Sequence, residues 1–206
     1  MRKHVMIISF LFFVFSMELF GQADFITPRQ LSEAISSGDV TLTANGNGSS
    51  SGSAVIGTLK NNKSNEIFIN VVLNDGIYLR NSGSGQNMVA AQVFLSNGVY
   101  TTLRTNKFIR LSPNANTQIM FLAFCADFER DNPAATEFFS YAAMPSGIQT
   151  ISSKISRYMA DKFDEDITIP IQLALWRSQE QSWEAISEKF IFDDSDWEIA
   201  TRIMNY

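Results

Sequence analysis

Thr117 to Asn132 reads TQIMFLAFCADFERDN, a hydrophobic run that passes into an acidic turn and contains the only cysteine of the chain. A strand that faces water on one side alternates polar and apolar residues. The unbroken apolar run from Ile119 to Ala126 instead predicts a strand buried on both faces, with a further layer covering the sheet there. Upstream, strand-like segments alternate with turn chemistry. Val40–Ala44 and Ala54–Lys60 flank the loop Asn45–Ser53 (NGNGSSSGS), and Glu66–Leu73 alternates with Ile67, Ile69, Val71 and Leu73 on one face. Asn74-Asp75-Gly76 predicts a hairpin turn into Ile77–Arg80. Asn81–Gly85 (NSGSG), Ser96-Asn97-Gly98 and Pro113 punctuate further strands at Met88–Leu95 and Lys107–Leu111. This spacing predicts an antiparallel β-sandwich of about seven strands over residues 39–128.

The covering layer is predicted downstream, as a helical cap over residues 146–206 and an α+β fold. Ile148, Ile151, Ile155, Tyr158 and Met159 fall at helical spacing, and Asp164-Glu165-Asp166 makes a polar break. Thr168 with Pro170 opens a helix running to Trp176, Ser182 opens another, and Ser195 to Glu198 reads as a capping box for the last. Ahead of the strands, Thr27-Pro28-Arg29-Gln30 predicts the start of a short helix that Gly38 ends. No internal repeat or long linker divides residues 23–206.

Arg2, Lys3 and His4 precede an apolar run from Val5 to Met17, and Phe20-Gly21-Gln22-Ala23 supplies small residues for cleavage. Residues 1–22 therefore read as a secretory signal peptide. The run is about 13 residues, short of the roughly 20 that a spanning helix needs. The expected product is exported, to the extracellular space, the cell surface or the periplasm, with no integral membrane segment. Cleavage leaves the chain one unit more acidic than its formal net charge of −5. Its basic residues are scattered, which argues against nucleic acid as a partner. It also removes His4, the only histidine, and with it Ser-His-Asp and Cys-His catalysis and histidine metal sites. A single cysteine forms no intrachain disulfide, so Cys125 is a buried small hydrophobe, an intermolecular partner or a reactive group.

Around Phe124-Cys125-Ala126 and Ile171-Gln172-Leu173-Ala174-Leu175-Trp176 the chain resembles the thioester domains of bacterial surface adhesins. In that family a cysteine preceded by Tyr, Phe or Leu is joined to the glutamine of a Thr-Gln-x-Ala-aliphatic-Trp motif. Ammonia is lost, and the bond is an electrophile that surface amines attack. The resemblance implies that Cys125 is the acylated thiol and Gln172 the acyl donor, with Phe124, Ala174 and Trp176 as supporting positions. Ile171 stands where the family has Thr. The function so implied is a non-enzymatic binding or adhesion module for a cell-surface or extracellular protein or glycan. Two other readings stand beside it: a structural extracellular domain with an inert buried cysteine, and a carboxylate-dependent hydrolase. No cofactor is called for. Asp127, Glu129 and Asp131 alternate after the cysteine as weak oxygen-ligand candidates for a metal such as Ca²⁺. They lack the glycine and distal glutamate of an EF-hand loop, so a solvated turn explains them as well.

Overall fold

A computed structural model describes residues 27–96, 107–162 and 167–206. The expected signal peptide, the expected turn at Asn97-Gly98 and the expected polar break at Asp164–Asp166 lie outside them. The described elements are α1 (Leu31–Ser36), β1 (Val40–Gly46), β2 (Ser51–Asn61), β3 (Ile67–Asn70), β4 (Val72–Asn81), β5 (Met88–Leu95), β6 (Phe108–Leu111), β7 (Asn116–Cys125) and β8 (Phe138–Ala142). Four further helices follow: α2 (Ser146–Asp161), α3 (Thr168–Arg177), α4 (Trp183–Ser187) and α5 (Asp194–Met204).

The sheet is a closed antiparallel barrel in the order β1-β2-β7-β5-β4-β8, accompanied by a separate two-stranded sheet of β3 and β6. The expected seven-strand sandwich is therefore incorrect. The strand that closes the barrel is β8, which the sequence reading passed over. It pairs with β1 through Ala44↔Phe139 and with β4 through Tyr78↔Ala142, so that neither edge is left open. Bulges bend the ladder enough to close it. Register shifts fall between Gly52 and Val55 in β2, between Val72 and Ile77 in β4, and between Ala90 and Gln92 in β5.

The largest of these bulges replaces the expected hairpin. Asn74-Asp75-Gly76 lies inside β4, with Gly76 at φ +67°, and the chain changes sheets earlier, between Asn70 and Val72. Helix α2 supplies the hydrogen bonds that the bulged backbone loses. Ser152 Oγ donates to the Asp75 carbonyl at 2.7 Å, Ser156 Oγ to the Leu73 carbonyl at 2.7 Å, and Ser153 Oγ to the Asp75 carboxylate at 2.8 Å. The residues before α1 are extended rather than helical, because the Arg29 N–H donates to Phe68 and its carbonyl accepts from Asn70. Gln30 rather than Thr27 stands at the N-cap. The box that opens α5 is likewise formed by Asp193 and Asp196, two residues earlier than expected.

The helices cover the barrel as the apolar run of β7 demanded. Helix α3 packs across β2, β7, α2 and α5, and every residue from Pro170 to Trp176 is buried. On β7, Ile119 and all residues from Phe121 to Cys125 are buried.

Candidate functional site

Cys125 is the last residue of β7 and lies opposite Met88 on β5, one residue beyond the last pair with β2, Ser51↔Phe124. Along an antiparallel strand successive residues direct their N–H and C=O to opposite neighbours. Ala126 donates to the Asn87 carbonyl on the β5 side at 2.8 Å. The polar groups of Cys125 therefore face the β2 side, where β2 has ended. Buried backbone groups without a partner cost about 1–3 kcal/mol each, and Gln172 occupies that gap.

The Cys125 N–H donates to Gln172 Oε1 at 2.9 Å, and Gln172 Nε2 donates to the Cys125 carbonyl at 2.9 Å. Both residues are fully buried, and they stand 47 positions apart in the chain. The pair of backbone partners leaves only one orientation for the carboxamide, oxygen toward N–H and nitrogen toward C=O. Gln172 can hold this position because it lies one turn into α3, the helix laid over β2 and β7.

The surroundings are dry. The Cys125 sulfur lies 3.8 Å from the Met88 sulfur, and burial, with the nearby Asp127 charge adding to it, pushes the thiol up to about 12. The thiol is therefore protonated at neutral pH. Phe124 and Ala174 are fully buried, while Trp176 packs edge-on against Phe128 at 5.3 Å and Phe190 at 5.4 Å. The Trp176 indole N–H is buried and has no hydrogen-bond partner among the described residues.

The three acidic candidates do not converge. The Asp127 carboxylate accepts from the Asn87 N–H and side-chain amide at 2.9 and 2.7 Å, Glu129 meets Lys189 at 3.4 Å, and the Asp131 carbonyl accepts from Gln86 N–H. Among the described residues no three His, Cys, Asp or Glu side chains gather as a metal site.

Gln179 is a site residue that the motif reading missed. It lies seven residues after Gln172, in the turn that follows α3, and its amide donates to the Ala126 carbonyl at 2.9 Å. The two glutamines thus hold consecutive residues of the strand end. The i, i+7 spacing was the available signal. The anchoring of Asn87 by Asp127, across 40 positions of chain, left none.

Compared with known protein families, with curated proteins and with solved structures, the chain finds no match in any of the three. No helix among the described residues is long and apolar enough to cross a membrane.

Proposed function

We propose that the chain is an exported, non-enzymatic binding or adhesion module that captures amines on a target surface through an internal thioester between Cys125 and Gln172. The observation that carries this reading is the reciprocal hydrogen bonding of the Gln172 carboxamide to the backbone of Cys125 at 2.9 Å on both sides. It brings the two residues of the motif resemblance together in a buried setting.

The chemistry balances without a cofactor. The Cys125 sulfur adds to the Gln172 carboxamide carbon, the C–S bond forms, the C–N bond breaks, and ammonia leaves with the thiol proton. The Cys125 N–H already points at Oε1, where negative charge builds as sulfur adds, so it serves as one oxyanion donor. Burial excludes the water that would hydrolyse the product. When the cover over the bond opens at a target, an amine attacks the acyl carbon, forms an amide at Gln172 and releases the Cys125 thiol.

A second reading has its own observation. The Gln172 carboxamide extends the β7 ladder where β2 has ended, and that alone is a structural reason for a buried glutamine. On this reading Cys125 is an inert core residue of a structural extracellular domain.

Intact mass separates the two. The thioester form is lighter than its sequence by one ammonia, and methylamine adds across Gln172 and frees a titratable thiol. Cys125→Ala and Gln172→Ala each abolish the deficit, and Gln179→Ala leaves it in place. A fresh preparation with the full sequence mass and one titratable thiol rejects the thioester and leaves the structural reading.

A further inference from the structure

A polar cavity of about 500 Å³ opens where β4, the loop after it, the Asp127–Asp131 turn and the start of α2 meet. Its walls include Tyr78, Arg80, Asn87 and Arg130. Two guanidinium groups share one cavity in a chain whose formal net charge is −5, so the cavity runs against the electrostatic character of the molecule. Among the described residues no carboxylate pairs with Arg80. Arg130 is held only loosely, with Nε 3.8 Å from the Asp127 carboxylate and Nη1 donating to the Gly85 carbonyl at 3.4 Å.

The rest of the cavity is built to keep its shape. Glu137 accepts from the Asn81 side chain at 2.7 Å, from the Ala134 N–H at 2.9 Å and from the Gly85 N–H at 3.2 Å. These bonds hold its carboxylate below the usual range. The same carboxylate fills the space that a side chain at residue 83 or 85 would need, so the loop must run past it as Gly83-Ser84-Gly85. Asn87 is fixed in turn by Asp127 through both its backbone and its side-chain N–H groups.

We propose that this cavity is a binding site for a carboxylate monoanion of about the size of a sugar acid, with Arg80 and Arg130 as the two arms that grip the carboxylate. The volume falls within the roughly 300–1,000 Å³ of small-molecule sites and exceeds what an inorganic ion would fill. The planar guanidinium fork matches a carboxylate in two parallel hydrogen bonds. Charge selects the monoanion. The Asp127 and Glu137 carboxylates, both adjacent to the wall, offset the two arginines, so the cavity holds no excess positive charge for a dianionic phosphate, while the guanidinium forks still match a carboxylate. Burial, with Asp127 adding to it, keeps the Tyr78 hydroxyl protonated, so it is a hydrogen-bond donor for the same anion. The site stands whether or not Cys125 and Gln172 are joined.

Isothermal titration of the full chain with glucuronate, glucuronamide and inorganic phosphate tests it. Glucuronate should bind saturably, with the neutral glucuronamide and phosphate each weaker by about tenfold or more. Arg80→Gln should weaken glucuronate by about tenfold while leaving the thermal unfolding curve in place, because the Arg80 side chain is exposed and, among the described residues, ties no other element down. Arg130→Gln should weaken it at least as much; since Arg130 also touches Gly85, Arg80 is the decisive position. Equal binding of glucuronamide, tighter binding of phosphate, no saturable binding of glucuronate, or an Arg80→Gln protein that binds like the parent would each overturn the assignment.

Discussion

The free thiol of Cys125 makes a prediction with a definite sign. Its folded value of about 12 lies above the ordinary 9.0, so the native state holds a proton that the unfolded chain gives up more readily. The resulting stability is fully present below about pH 9 and is lost as pH rises toward 12, by about 1.4 kcal/mol per pH unit at most. Urea unfolding of the parent and of Cys125→Ala between about pH 8 and pH 11 should show the parent losing its advantage only above about pH 9. A thioester-bearing protein has no proton to lose and should show no such decline. Gln172→Ala should destabilise the fold by about 2–4 kcal/mol, because two buried backbone groups of Cys125 lose their partners. Gln179→Ala, half-buried, should cost about 1 kcal/mol. Equal losses at the two positions would mean that water replaces Gln172 freely. Cys125 stood out in the sequence as a lone cysteine on an apolar strand, and Gln172 was singled out only through the resemblance to the thioester-domain motif; the structure brings the two into hydrogen-bond contact. Arg80, Asn87 and Arg130 were not legible, because single polar residues in loops and strand ends carry no pattern until the fold brings them together.

Elements were read well where one face repeats and poorly where only the partner distinguishes two outcomes. The α2 positions Ile151, Ile155, Tyr158 and Met159 are buried as their spacing required. Asn74-Asp75-Gly76 offers the same local chemistry to a hairpin turn and to a bulge, and the serines of α2 that select the bulge lie 77 to 83 positions away. The short strand β8 buries Phe139 but exposes the equally apolar Phe138, so its sequence carries no apolar-polar alternation to mark it. Sandwich and barrel share one buried face per strand, and only the pairing of β8 with both β1 and β4 separates them. The bulge can be tested directly. Gly76 sits at φ +67°, and a Cβ there would collide with Ser152 Oγ and press on the Ala90 carbonyl at 3.1 Å. Gly76→Ala should therefore destabilise the fold by about 1–3 kcal/mol from backbone strain together with the clash. Combined with Ser152→Ala it should recover the clash but not the strain, so the double variant should cost less than the sum of the two singles in urea unfolding. Additive losses would place the bulge and α2 out of contact in solution.

At the scale of the whole molecule, the site depends on the helices lying on the barrel. Helix α3 is buried at every position from Pro170 to Trp176, all of them apolar except Gln172, which a helix tolerates only when it is covered from more than one direction. The barrel strands β2 and β7 cover one side, and α2 and α5 cover others. Residues 146–206 made alone would leave the barrel-facing sides of α2 and α3 open to water. Ile148, Ile151 and Ile171 would lie among the exposed groups, a patch larger than soluble chains carry without association. That fragment should be insoluble or molten, with helical far-UV circular dichroism, little near-UV signal and no cooperative thermal transition. The converse piece, residues 27–145, would lose Gln172 and the cover over Cys125 together, so its thiol should react promptly with a thiol reagent that leaves the unjoined native chain untouched. If residues 146–206 melt cooperatively as a monomer, the helices possess a core of their own. In that case α3 could lift from β7 as a unit, and the dryness around Cys125 would rest on a movable interface.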